Sequence, residues 1–262
     1  VTLAVDGRAA FVSTGGRPFA PGRPVIVFLH GAGFDHTAWM LQARYFAHHG
    51  RAVLNVDFPG NGRSAGPPLA SIAALAAWVV KLLDAAGVET AALVGHSMGA
   101  LVALEAAARV PARVRALALL GVAAKMPVHP DLQRAAAAND HAAADLVTSW
   151  GFGRWAHLGG SRVPGAWMTG SGLRLLERAP PGALAAGLAA CNAYAGALDA
   201  AGKVLCPTLL LLGEIDRMTP PPGARELAAR MADARTVILP HTGHMMMIEE
   251  PDRTIDALAA IV

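Results

Sequence analysis

Residues 91–100, AALVGHSMGA, constrain this chain more than any other segment. An apolar run short enough for a buried strand enters Gly95-His96-Ser97-Met98-Gly99, and alanine- and leucine-rich sequence suited to a helix follows. Glycines on both sides of a serine let a strand turn sharply and let the next helix pack where a Cβ would collide. The serine hydroxyl is then lifted clear of the backbone. The first N–H groups of the helix, which lack partners inside it, face any negative charge that develops beside that hydroxyl. Ser97 is therefore a candidate nucleophile.

The remaining sequence extends the strand–turn–helix pattern in both directions. Val25–Leu29 and Ala52–Val56 are short continuous apolar runs, suited to strands covered on both faces. A helix is expected over Trp39–His49. Another is expected over Ser71–Ala86, with Ser71 as N-cap and Gly87 as the stop. Val114–Leu120 is a further strand, and the N-terminal residues form a hairpin turning at Asp6-Gly7. Strands that alternate with helices imply a mostly parallel sheet with helices on both faces.

The alternation lapses between Lys125 and Lys203, where helix-like stretches (Asp131–Trp150, Leu173–Arg178, Pro181–Leu198) are joined by Gly- and Pro-rich links. It resumes with the strand Thr208–Leu212, a helix over Gly223–Met231, the strand Thr236–Leu239 and a helix over Pro251–Val262. The expected organisation is one α/β core made of residues 1–124 and 204–262. Residues 125–203 are expected to form a helical lid inserted between the sixth and seventh strands.

A serine needs a base, and the base needs a carboxylate to orient it. In the strand order of the hydrolases, the acid follows the strand after the insertion and the histidine follows the last strand. Both places are filled: Gly213-Glu214-Ile215-Asp216 closes one strand, and His241-Thr242-Gly243-His244 follows the other. Residue types alone leave Glu214 or Asp216 as the acid and His241 or His244 as the base. No further ligands stand at metal-binding spacing around the two histidines, so no metal is expected. The turn His30-Gly31-Ala32-Gly33-Phe34 follows Val25–Leu29, and its glycines allow main-chain N–H groups to approach a substrate oxygen.

These motifs, with Asp57-Phe58-Pro59-Gly60-Asn61-Gly62-Arg63-Ser64, cover nearly the whole chain outside the insertion. Together they resemble the α/β-hydrolase superfamily, specifically its small lid-bearing serine hydrolases of carboxylesterase type. The resemblance implies an eight-stranded, mostly parallel sheet. It also implies Ser97 as nucleophile, His244 as base, Asp216 as orienting acid and an oxyanion hole from the amides of Ala32 and Met98. Asn61 departs from the histidine that many relatives carry in that turn, which bears on substrate detail and not on catalytic class. Serine at position 97 argues against the relatives that open epoxides or remove halides with an aspartate nucleophile.

The expected activity is cleavage of a carboxylic ester without a cofactor. Lactone, amide, thioester or carbon–carbon hydrolysis and perhydrolysis are alternatives on the same residues, and a non-catalytic receptor is a rival of another class. Trp150, Trp155 and Trp167 in the insertion, Met245 after the histidine, and Gly31 and Phe34 near the oxyanion turn are candidate pocket residues for a small, largely apolar substrate.

A net charge of +3 spread over scattered arginines gives no nucleic-acid footprint. No apolar run reaches bilayer length, and the first residues lack the pattern of a signal peptide. A small-molecule partner, no membrane, a cytoplasmic location and a monomer or homodimer are expected. Cys191 and Cys206 are expected as reduced packing residues.

Overall fold

The computed structural model describes residues 1–20 and 22–262. Eight strands form one sheet: β1 (Thr2–Val5), β2 (Arg8–Ser13), β3 (Val25–Leu29), β4 (Ala52–Val56), β5 (Ala91–His96), β6 (Val114–Leu120), β7 (Thr208–Gly213) and β8 (Ala234–Leu239). Their order is β1-β2-β4-β3-β5-β6-β7-β8. The hairpin β1–β2 is antiparallel and joins β4 antiparallel, while all pairs from β4 to β8 are parallel. Every residue of β3, β4, β5 and β7 is buried, which is why these strands read as unbroken apolar runs.

The period of two survives beneath those runs. In β3, Val25, Val27 and Leu29 join the core on one face of the sheet, and Ile26 and Phe28 join the core on the other. Helices cover both faces: α1 (Met40–His48), α2 (Ile72–Ala85) and α3 (Met98–Arg109) from the first half of the chain, with α10 (Arg225–Arg230), α11 (Met246–Glu249) and α12 (Pro251–Ala259) from its end. Ser71 caps α2 as expected, its hydroxyl accepting the Ala74 N–H at 3.2 Å.

Between β6 and β7 lie six helices: α4 (Pro130–Ala137), α5 (Ala142–Gly151), α6 (Arg154–His157), α7 (Met168–Glu177), α8 (Ala183–Ala193) and α9 (Ala197–Ala201). The single helix expected over Asp131–Trp150 is two. The chain breaks at Asn139, which takes a φ of +51° and accepts the Gly182 N–H at 2.7 Å through its side-chain oxygen. Alanines on both sides of the break hide it in the sequence. The stretch expected as one helix over Pro181–Leu198 likewise divides into α8 and α9, separated at Tyr194 and Gly196.

From β3 the chain first adds β4 on one side, then crosses over to add β5 on the other. The carboxyl ends of β3 and β5 therefore diverge into a crevice, the place where sheets of this kind bind ligands. The turns after β3, β5, β7 and β8 carry His30–Phe34, Ser97, Asp216 and His244. No helix among the described residues is long and apolar enough to cross a membrane.

Candidate active site

Ser97 occupies the turn between β5 and α3 with φ +55° and ψ −116°, a conformation that costs a serine about 1–3 kcal/mol. The surrounding backbone enforces it. A Cβ on Gly95 would stand 2.1 Å from the Gly99 carbonyl oxygen, and one on Gly99 would stand 2.3 Å from that of Leu29. Only glycine fits either place, which accounts for the G-x-S-x-G spacing. The Ser97 N–H donates to the Leu120 carbonyl at 2.9 Å, tying the turn to the end of β6.

Asp216 lies in the turn after β7 and is buried. One carboxylate oxygen accepts the N–H groups of Met218 and Thr219 at 2.8 and 2.9 Å. The other lies 2.7 Å from His244 Nδ1 and accepts the Thr219 hydroxyl at 2.8 Å. Burial alone would raise the Asp216 carboxyl, but the adjacent His244 and the N–H and hydroxyl of Thr219 hold it below the usual carboxylate range. An ionised Asp216 keeps the imidazole proton on Nδ1, which leaves Nε2 of His244 as an acceptor.

The competing residues pair with each other elsewhere. Glu214 accepts the His241 N–H at 2.8 Å and lies 3.7 Å from its Nδ1, and both side chains are exposed. Asp216 and His244 form the buried pair.

Met98 opens α3, so its N–H has no partner within the helix, and the Ala32 N–H donates to no backbone oxygen among the described residues. His30 shapes the Ala32 turn from beneath. Its Nδ1 lies 2.8 Å from the Gly31 carbonyl, and its Nε2 accepts the Phe58 N–H at 3.1 Å. Burial holds His30 neutral, its pKa below the usual histidine value. Below His244, the His96 ring lies 4.6 Å away centroid to centroid, and its Nε2 is 3.0 Å from the His244 carbonyl oxygen. Burial, reinforced by His244, depresses His96 well below the usual histidine range.

Ser97, Ala32 and His244 line one cavity of about 390 Å³. Its other walls come from the residues after β6 (Met126–His129), from Leu132, Trp150, Leu188 and Cys191 in the inserted helices, and from Arg217–Thr219 beside Asp216. Of the pocket residues expected from the sequence, Trp150 lies in this wall. Trp155 and Trp167 are exposed at 60% and 66%, and neither belongs to the cavity lining. Phe34 and Met245 are buried in the core, and Gly31 packs against His96; these three are also outside the lining. Burial removes Cys191 from thiolate chemistry, pushing its thiol up to about 12.

Sequence reasoning missed Thr219, Arg217, His96 and Glu249. Glu249 is a buried carboxylate that accepts backbone N–H groups from both sides of His244. Nothing in the sequence distinguishes it from a surface glutamate beside Glu250.

Among the described residues, Asp35, His36 and Asp57 come close enough to suggest a metal centre, with ligand atoms within 4.8 Å of one another. Their donors and acceptors are already committed. Asp57 accepts the N–H groups of His36 and Arg63, while Asp35 accepts from Thr37 and pairs with Arg178 at 3.0 Å. The cluster braces the turn after β3 against the turn after β4.

Comparison with known proteins gives three kinds of likeness. A sequence model described as "Alpha/beta hydrolase family" matches residues 26–257. The chain is 29% identical over 245 residues to "Putative carbamate hydrolase RutD" of Klebsiella pneumoniae subsp. pneumoniae, covering 88% of each protein. It is 37% identical over 119 residues to the dihydrolipoyllysine-residue acetyltransferase component of the acetoin cleaving system of Cupriavidus necator, a match spanning 44% of this chain and only 30% of that protein. Among solved structures, the enol-lactonase from Burkholderia xenovorans LB400 superposes with a TM-score of 0.89 at 25% identity, covering 99% of this chain and 98% of that one.

Proposed function

The chain belongs to the alpha/beta hydrolase family, and from that premise we propose that it is a serine hydrolase cleaving carboxylic esters of small, largely apolar substrates. The observation that carries this reading is the buried 2.7 Å contact between His244 and Asp216, in a cavity that Ser97 and His244 line together. Nothing about the proposed chemistry calls for a metal or an organic cofactor.

In the proposed reaction the Ser97 hydroxyl attacks the ester carbonyl as His244 Nε2 takes its proton. Asp216 stabilises the imidazolium through Nδ1. The carbonyl electrons move onto an oxygen held by the N–H groups of Ala32 and Met98. The tetrahedral intermediate collapses, His244 returns the proton to the departing alcohol, and the acyl group stays on Ser97. Water then attacks the acyl-enzyme with His244 again as base, which releases the acid and restores the serine. The inserted helices, residues 125–203, act in this reading as a lid whose walls favour apolar acyl groups.

A second reading is favoured by the enol-lactonase that the fold matches end to end. A lactone is a cyclic ester, so the same steps apply, with the leaving alkoxide still attached to the acyl group. The carbamate hydrolase relative adds a third substrate class.

A fluorophosphonate probe and a substrate panel test the proposal. We expect stoichiometric labelling of Ser97 and turnover of p-nitrophenyl esters of graded acyl length, assayed beside a lactone and a carbamate. Labelling that persists in Ser97→Ala, or ester turnover unchanged in that variant, overturns it.

A further inference from the structure

Three consecutive amides, those of Gly243, His244 and Met245, are each held by a bond from outside the turn that contains them. Glu249 on α11 accepts two of them: Gly243 N–H at 3.1 Å from both carboxylate oxygens and Met245 N–H at 3.2 Å from one. The His244 N–H donates to the Gly151 carbonyl, at the end of α5, at 2.7 Å. Glu249 also accepts the Gly153 N–H at 2.8 Å, so one carboxylate, 7% exposed, grips the histidine turn and the inserted segment together. The fit leaves no slack. A Cβ on Gly243 would stand 2.5 Å from the Gly153 nitrogen, and one on Gly153 would stand 2.8 Å from Glu249 Oε2.

We propose that Glu249 is a positioning residue that fixes the His244 backbone and makes the inserted helices part of the same clamp. The proposal takes His244 as the base, as in the reaction above. Both carboxylate oxygens face N–H donors, and an ionised carboxylate can accept all of them because it carries no hydrogen of its own.

The tests are Glu249→Gln and Gly153→Ala, assayed on p-nitrophenyl acetate with rates expressed per fluorophosphonate-titrated site. Glutamine keeps the shape but sets an NH₂ group against at least one N–H. Alanine at 153 disturbs the clamp from the insertion while leaving Glu249 itself in place. In both variants we expect kcat per titrated site to fall about tenfold or more with KM changed by less than about threefold, since small displacements of a base are costly.

The low-field proton resonance of the His244–Asp216 hydrogen bond should broaden or disappear in both, a readout that requires no substrate. A residue that only stabilises the fold would lower the titratable fraction and Tm, leaving kcat per site and that resonance unchanged, and this result overturns the proposal. An effect of Glu249→Gln without one of Gly153→Ala overturns the coupling to the insertion. If the wild-type resonance responds to Glu249→Gln but no ester is turned over, the ester reading fails and the clamp stands.

Discussion

A Cβ placed on Gly213 would stand 2.0 Å from the Gly243 carbonyl oxygen, so the turn that carries Asp216 and the turn that carries His244 meet backbone to backbone. That contact sets the spacing from which the 2.7 Å bond between the two side chains follows. Gly213→Ala must push the turns apart. It should destabilise the protein by about 1–3 kcal/mol, as other overpacked sites do. It should also lower kcat about a hundredfold, because His244, the proposed base, loses its geometry. Thermal unfolding and steady-state kinetics on the same preparation check both.

Thr219 sits between Asp216 and His244, its hydroxyl 2.8 Å from Asp216 Oδ2 and 3.2 Å from His244 Nδ1. Thr219→Val keeps the shape and removes one of the donors that hold the Asp216 carboxyl down. A hydrogen bond to a charged group contributes about 1.5–3 kcal/mol, so kcat/KM should fall by about ten- to a hundredfold. Asp216→Asn removes the charge itself and should cost on the order of a thousandfold or more, as in other triads. Similar losses in the two variants would show that the hydroxyl and the carboxylate act as one unit.

Ser97, Asp216 and His244 stood out in the sequence because each lies in a turn after a strand, with Gly95, Gly213 or Gly243 shortly before it. The choice between neighbours was not legible from residue type. Glu214 and Asp216 share one turn, as do His241 and His244, and only the path of the turns buries one pair and leaves the other at the surface. The family resemblance chose the buried pair. The pocket walls resisted prediction because a large apolar side chain does not announce its direction. Trp150 faces the cavity from α5, while Trp155, just beyond the docked Gly151–Gly153 segment, faces solvent. Glu249 was invisible for the opposite reason: its partners are backbone amides brought together by the fold, which leave no pattern in residue types.

Acid should weaken this fold through two buried histidines. His30 and His96 are buried with pKa values below the ordinary 6.5, so the folded state binds fewer protons than the unfolded state as pH falls through that value. Their stabilising contribution is fully present above pH 6.5 and is lost as pH drops toward the depressed folded values. Each adds up to about 1.4 kcal/mol per pH unit to the slope. Denaturant unfolding from pH 7.5 down to pH 5 should show this decline. His96→Asn, if it folds, should show a shallower one, and an unchanged slope would remove His96 from the account.

Arg217 is the cavity-lining side chain with a permanent charge, exposed beside Asp216, and its guanidinium makes no ion pair among the described residues. An exposed cation of this kind contributes about 0.2–1 kcal/mol to an anionic partner. Arg217→Ala should therefore lower kcat/KM for a p-nitrophenyl ester of a dicarboxylic acid by up to about fivefold. A neutral ester of the same length should be turned over at nearly the wild-type rate. Salt separates this effect from a change in pocket shape. Raising ionic strength shortens the Debye length to about 3 Å near 1 M, so the difference between the two esters should shrink in the wild type and stay absent in the variant. Equal losses on both esters would mean that Arg217 shapes the rim without reading charge.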